Sequence, residues 1–440
     1  MANPLPAELL LHVLSYFSVP EDRQTLVSLC IASKNLLECA RPMLYSDLSD
    51  ISLPCELLSR TLCDGVNGLD LGRMVKKPTV FIDFVCQALH SRPGFDRSNG
   101  EMTTLEERIA LLKTHRQWSQ TEVCLAMCSS IQEFAFITWM RADTMEFLGG
   151  DVYSRVIDII PSSRSLLELP FLTTLTHLSL DNVDAINCSF AAFGSLIIAA
   201  PNLHRLSLKS IDPQKLFQPV MEFLKEHRSA SISLKAIAWH ETESPITVEG
   251  FLILLPTLFP IQHFELVNNY LQVSSLHEFE LDTGQELGLD SIISFTGTSL
   301  SYDHLEDDPH WVVGLSRHFP SLERMQTDAA SSNLLPNRDT YMHLSHLSLN
   351  YSASDLPVRE NMDAFLSNHP PLLKLFKLSI EGSSDYGMQL WLEEMVELVE
   401  DRMASAGDGL EAIILECELG RKAFVKRQGV FVLEGAGMEV

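Results

Sequence analysis

The chain has 440 residues with 32 Lys+Arg against 58 Asp+Glu, a formal charge of −26, which disfavours nucleic-acid binding through a basic surface and contact with acidic membranes. At 46% hydrophobic residues with 21 Gly and 21 Pro, the composition supports a large core and excludes collagen, a low-complexity scaffold and general disorder. Nine cysteines, an odd number scattered through apolar stretches, fit reduced core thiols rather than a disulfide framework. The first Lys or Arg is Arg23 and Glu8 interrupts the early apolar stretch, unlike a secretory signal. The apolar run from Phe251 to Phe259 is too short for a membrane span, so the expectation is a cytoplasmic or nuclear protein with neither a membrane nor a nucleic acid as partner.

Residues 5 to 17 place Leu5, Leu9, Leu10, Val13, Leu14 and Phe17 at helical spacing, with Pro6 suited to a first turn and Glu8 near the positive end of the helix dipole. A second periodic stretch runs from Asp22 through Leu26, Leu29, Ile31, Leu36 and Leu37 to Ala40, and Arg41-Pro42 is expected to end it. Two or three helices in 45 residues hold too little core to stand alone.

Leu5-Pro6-Ala7-Glu8-Leu9-Leu10, Val13-Leu14-Ser15-Tyr16-Phe17, Leu29-Cys30-Ile31-Ala32-Ser33-Lys34 and Arg41-Pro42-Met43-Leu44-Tyr45 together resemble an F-box, in order and in spacing. Arg23-Gln24-Thr25 departs from that family's usual aspartate-plus-leucines start of the second helix.

Further along, a Leu-x-x-Leu-x-Leu pattern recurs, at Leu175, Leu178 and Leu180; Leu203, Leu206 and Leu208; Ile261, Phe264 and Leu266; Leu344, Leu347 and Leu349; and Leu375, Leu378 and Ile380. With weaker copies, the middle apolar residues fall at 178, 206, 237, 264, 292, 325, 347, 378 and 413, in steps of 22 to 35 residues. Pro201, Pro260, Pro320 and Pro371 precede strands where the apolar stretches Phe190 to Ala199, Phe251 to Phe259 and Trp311 to Phe319 have to stop as helices. Thr79 to Phe84 and Ile131 to Thr138 read as earlier strands, with a helical stretch from Leu105 to Met127. A strand and a helix per unit resemble a degenerate leucine-rich repeat. The fold class expected is α/β: a short all-α F-box followed by a leucine-rich-repeat-like solenoid, or horseshoe. The boundaries expected are 1–47 for the helical domain, 48–165 for divergent strand/helix units leading into the solenoid, and 166–440 for the solenoid.

No phosphate loop, Gly-x-Ser-x-Gly elbow or His-Glu-x-x-His helix occurs, so no catalytic centre is nominated and the expectation is a chain that is not an enzyme, with no cofactor and no metal. Cys124 and Cys128 lack a second half-site and read as core; His343 with His346, and the acidic loop from His304 to His310, are rejected as ligand sets. In a Leu-x-x-Leu-x-Leu strand the residue before the middle leucine projects from the sheet, so Leu206 should point inward and Ser207 outward. That column reads His177, Arg205, Ala236, His263, Ser291, Arg324, His346, Lys377 and Ala412. Neutral histidines along a ladder are one explanation; a stripe that reads an acidic or phosphorylated segment through His177, Arg205, His263, Arg324, His346 and Lys377 is the other. From Ala236 to Ser316 there is no Lys or Arg but 13 acids, and Glu381 to Glu418 sets eleven acids against Arg402 alone. Such runs are a solvated surface or a docking surface for a cationic partner.

The joint pattern is similar to fungal-type F-box proteins with degenerate leucine-rich repeats. The resemblance implies the substrate-recognition subunit of a cullin-RING ubiquitin ligase, with a Skp-type adaptor, and through it a cullin scaffold, bound by the F-box and a substrate protein held by the repeats. The adaptor-binding residues expected are Leu5, Pro6, Leu9, Leu10, Val13, Leu14, Leu26 and Leu29, more apolar surface than so small a helical unit buries within itself. A non-ligase repeat scaffold, or an enzyme using carboxylates of the acidic segment, are the alternatives.

Overall fold

The computed structural model describes residues 7–17, 19, 21–53, 68–83, 125–139, 169–181, 197–209, 233–240, 261–267, 291–298, 319–328, 341–352, 359–381, 386–403, 409–418, 420–427 and 430–434. The chain divides into two compact units, Met1–Leu234 and Lys235–Val440.

Unit 1 opens with three helices, α1 (Ala7–Leu14), α2 (Arg23–Ala32) and α3 (Lys34–Ser46). Leu14, Leu26 and Ala40 form their fully buried centre, with Phe17, Leu29, Met43 and Leu44 packed around it. The stretch from Asp22 to Ala40 is two helices because Ser33 is extended, at φ −159° and ψ 158°, and its hydroxyl accepts the Leu36 N–H at 3.2 Å. Pro42 does not end α3, contrary to the sequence expectation; the helix runs on to Ser46. Proline removes one N–H from the ladder, but the last turn is held from outside. The Arg23 guanidinium donates to the Leu44 carbonyl at 3.1 Å and the Asp47 carbonyl at 2.5 Å, capping carbonyls that a helix end leaves open.

Strand β1 (Asp47–Leu53) follows α3 directly. After α4 (Gly68–Met74) come β2 (Lys77–Asp83), β3 (Glu133–Trp139), β4 (His177–Asp181) and β5 (Arg205–Lys209), each parallel to the one before. The two early strands read from the sequence are therefore β2 and β3, in one ladder with β4 and β5. Of the helical stretches read from the sequence, 105–124, 190–196, 251–259 and 311–318 lie outside the described residues, while 125–127 and 197–199 are helical.

In unit 2, β6 (Ala236–His240), β7 (His263–Val267), β8 (Ser294–Thr298), β9 (Arg324–Asp328), β10 (His346–Ser352), β11 (Leu375–Glu381) and β12 (Ala412–Cys417) are likewise parallel in order. Helix α5 (Arg359–Ser367) precedes β11 and α6 (Tyr386–Met403) follows it. β13 (Gly420–Arg427) and β14 (Val430–Glu434) then close the ladder as an antiparallel hairpin. Gly420 makes the turn from β12 possible, at φ +141°, where a Cβ is disfavoured.

Sequence alternation explains the strands. The apolar positions of each motif are buried, among them Leu178, Leu206, Leu208, Ile237, Phe264, Leu347 and Ile413, and their neighbours face the other way. One backbone device sets the spacing: the carbonyl before a strand accepts two successive N–H groups of the next coil. Gln132 O takes Thr176 and His177, Thr176 O takes His204 and Arg205, and in unit 2 Gln262 O takes Ile293 and Ser294. Ser345 O likewise takes Lys374 and Leu375. These bonds correct two of the motif frames. The middle apolar residue of β8 is Phe295, not Ile292, and that of β11 is Phe376, not Leu378, because Phe264 pairs with Phe295 and Leu347 with Phe376. An aromatic file runs through the core beside this ladder: Trp239, Phe264, Phe295 and Phe319, with ring centroids 5.7 to 6.2 Å apart. Both units are stacks of parallel strand-bearing coils, an α/β solenoid of the leucine-rich-repeat kind.

Candidate functional site

Helix α1 is apolar on two sides. Leu14 and, past the helix end, Phe17 turn inward, whereas Leu9 and Val13 on α1 and Tyr16 in the turn after it, at i, i+4, i+7 spacing, are exposed at 51%, 56% and 77%. Leu11 and, on α2, Ile31 are exposed as well. The eight residues expected to meet an adaptor therefore do not form one surface. Leu9 and Val13 face solvent, Leu10 and Leu29 are half-buried, and Leu5 and Pro6 lie outside the described residues. Leu14 and Leu26 are 2% and 0% exposed and belong to the three-helix core. Tyr16 and Ile31, which sequence reasoning left out, are the most exposed large apolar residues of the helical segment; helical spacing from Leu9 and Val13 would have found Tyr16. The Arg23 caps tie the start of α2 to the junction where α3 becomes β1, so the departing residue of the motif has a local structural task.

The second candidate is the strand face that carries the column. In unit 1 the register places Asp47, Lys77, Glu133, His177 and Arg205 in one row across β1 to β5, with Lys77 and Glu133 paired at 2.9 Å. The adjacent row is small: Thr79, Ala135, Ser179 and Ser207. Between them lies an open groove of about 290 Å³ lined by Asp47, Lys77, Thr79, Glu133, His177 and Ser179. Arg205 is exposed, while His177 is half-buried and its Nε2 lies 2.9 Å from the Ser207 hydroxyl. Ser207 itself is 8% exposed, so the outward strand position is not a solvated one here.

In unit 2 the row is Ala236, His263, Ser294, Arg324, His346, Leu375 and Ala412. Ser294 takes the place expected for Ser291. Lys377 is not in the row: Leu375 pairs with His346, and Lys377 lies two residues further along β11 opposite Ser348. Its ammonium meets the Glu416 carboxylate, and that hydrogen bond, aided by Lys377 and Arg421 charge, holds the carboxyl below the usual range. His263 and Arg324 are exposed. Burial first, then the charges of Arg324 and Lys374, hold the His346 imidazole below its ordinary value, with Nδ1 2.7 Å from the Ser345 hydroxyl. At neutral pH this row therefore offers anions the Arg324 guanidinium beside an uncharged ring, less positive charge than the sequence column suggests.

Of the 13 acids between Ala236 and Ser316 only Glu265, half-buried on β7, is among the described residues. On α6 the acids Glu393, Glu394, Glu397, Glu400 and Asp401 are exposed, opposite a face of Met388, Trp391, Leu392, Met395, Leu398 and Val399 that is buried. Arg359 bridges to Glu397 at 3.1 Å, and Arg402 forks onto the Asp363 carboxylate, clamping α5 to α6. Among the described residues no group of three or more His, Cys, Asp or Glu is placed to hold a metal ion, and no helix is long and apolar enough to cross a membrane. Cys128 is buried at 2% exposure; Cys124 and the loop from His304 to His310 lie outside the described residues.

No known family model matches the chain, and no curated protein does. Among solved structures it is similar to a chain of the "Crystal structure of Rad7 and Elc1 complex in yeast", at TM-score 0.25 and 13% identity, over 67% of this chain and 91% of that one. At that distance the likeness assigns no function.

Proposed function

We propose that this chain is a non-catalytic substrate receptor of a cullin-RING ubiquitin ligase, which docks on a Skp-type adaptor through α1 to α3 and holds a protein substrate on its solenoid strand faces. The observation that carries the reading is the exposed set Leu9 and Val13 on α1 and Tyr16 in the turn after it, beside Leu14 and Phe17 that the core already uses, within a stretch that resembles an F-box. Three apolar side chains at one helical spacing are the kind of stripe that a partner helix or groove covers. In this reading the adaptor leads to the cullin scaffold, ubiquitin transfer belongs to other subunits, and the chain contributes proximity, raising the effective concentration of a substrate lysine. Arg205 and Arg324 are exposed guanidinium groups on their strand faces, a chemistry suited to an acidic or phosphorylated segment, and His346 is held below its ordinary ionisation range. The reading places the work in the cytoplasm or nucleus. Co-expression with a Skp-type adaptor tests it: the adaptor should co-elute with the full chain on gel filtration. Separate elution at micromolar concentration would leave a repeat scaffold without ligase attachment.

A further inference from the structure

We infer that the outer edge of β14 is a docking strand for an extended acidic segment of a partner protein, which adds to the sheet by main-chain pairing. β13 and β14 leave the parallel stack as an antiparallel hairpin, and among the described residues β13 is the only strand neighbour of β14. In an antiparallel pair every second residue of the outer strand turns its N–H and C=O away from its neighbour, a template for one more strand. Val432 and Leu433 are 44% and 38% exposed, and as successive residues they point to opposite faces, so the edge offers apolar contact on both sides of an added strand.

Charge selects the occupant. Residues 420–434 carry Arg421, Lys422, Lys426 and Arg427 against Glu434 alone, in a chain whose net charge is −26. Arg421 and Arg427 are exposed, and Lys422 and Lys426 are half-buried. A strand paired to β14 would lie about 10 Å from β13, two strand spacings, close to the screening length at physiological ionic strength. Carboxylates on such a strand would be drawn to the hairpin, while more distant acids of this chain are screened. Two of the nearer carboxylates have cations outside the hairpin, Glu411 with Lys374 at 3.4 Å and Glu416 with Lys377, and Arg421 of the hairpin lies opposite Glu416 as well. A second copy pairing through its own β14 would bring two cationic hairpins together, and like charge across an interface disfavours that pairing. The inference is independent of adaptor binding, so the two fail or stand separately.

Three fluorescent peptides of about eight residues test it on the full chain by anisotropy: alternating Val and Glu, alternating Val and Lys, and the Val–Glu peptide N-methylated on the amides that would face the edge. The Val–Glu peptide should bind at least about tenfold more tightly than either of the others. Arg421→Glu with Lys422→Glu should reverse the preference between Glu and Lys peptides; should that double variant fail to fold, Arg427→Glu should narrow it. Equal binding of the N-methylated peptide would overturn main-chain pairing, and no binding of the Val–Glu peptide at about 1 mM would overturn the site. A concentration-dependent dimer in sedimentation, dissolved by Leu433→Asp, would overturn the acidic partner in favour of a second copy.

Discussion

Two neighbouring residues of β5 separate core from ladder. Leu206 is fully buried, so Leu206→Asp removes roughly 2 kcal/mol of apolar transfer and buries a carboxylate, which costs several kcal/mol more unless a cation reaches it. The total, about 5 kcal/mol or above, approaches the whole stability of an ordinary domain. In a repeat stack each coil is held by its neighbours, so the loss spreads to β4, which pairs with β5. Ser207 is also buried, but it faces the strand side and its hydroxyl meets His177 at 2.9 Å, so Ser207→Ala should cost only about 1 kcal/mol, one hydrogen bond. Urea unfolding followed by circular dichroism measures both. Ser207→Asp is not the neutral change that an outward position would allow, because it forces a larger, charged group into an 8%-exposed site. If Leu206→Asp lost no more stability than Ser207→Ala, the assignment of opposite environments to the two residues would be refuted.

The α5–α6 clamp should respond to acid. The Arg402 hydrogen bond holds the Asp363 carboxyl below its usual value, so its contribution is present above the unfolded carboxylate range and lost as pH falls through the folded value. Amide protection in α5, taken against the intrinsic exchange rate at each pH, should therefore fall from pH 5 to about pH 3, and Arg402→Gln should blunt that change; an identical acid response in the variant would contradict it. Gly72→Ala should destabilise unit 1, although alanine is favoured over glycine inside helices, because a Cβ there would sit 2.3 Å from the Met127 carbonyl oxygen. A higher melting temperature for this variant would show that α4 and residues 125–127 are not packed this closely.

The repeat was legible because inward and outward residues alternate along each strand, and β4, β5 and β10 carry apolar residues only where the core needs them. The frame slipped where apolar residues outnumber core positions. Around β11, Leu373, Leu375, Phe376, Leu378 and Ile380 allow two readings of the same spacing, and only the Ser345 carbonyl, accepting from Lys374 and Leu375, chooses between them. That two-residue slide is also what put Lys377 in the wrong row. At the N-terminus the motif residues located the helices, but α1 carries leucines and a valine on both flanks of its Glu8–His12 strip, and such a pattern does not announce which flank the core takes. Leu14 and Leu26 were for that reason read as interface. The end of α3 was misread because the capping group, Arg23, comes from 21 residues away along the chain.

The most direct measurement of the receptor reading is calorimetric titration of a Skp-type adaptor into the full chain and into two variants chosen by exposure. Leu9→Asp with Val13→Asp changes two exposed residues and should leave the melting temperature close to that of the parent while weakening adaptor binding by about a hundredfold or more, since interface anchors often contribute about 2 kcal/mol each. Leu14→Ala, inside the three-helix core, should instead lower helix stability by about 3 kcal/mol and weaken binding only as far as the fold is lost. Tight binding by the parent, lost in the surface variant with its fold intact, is the predicted result; a surface variant that binds the adaptor as the parent does, or a parent that does not bind it, would contradict the account.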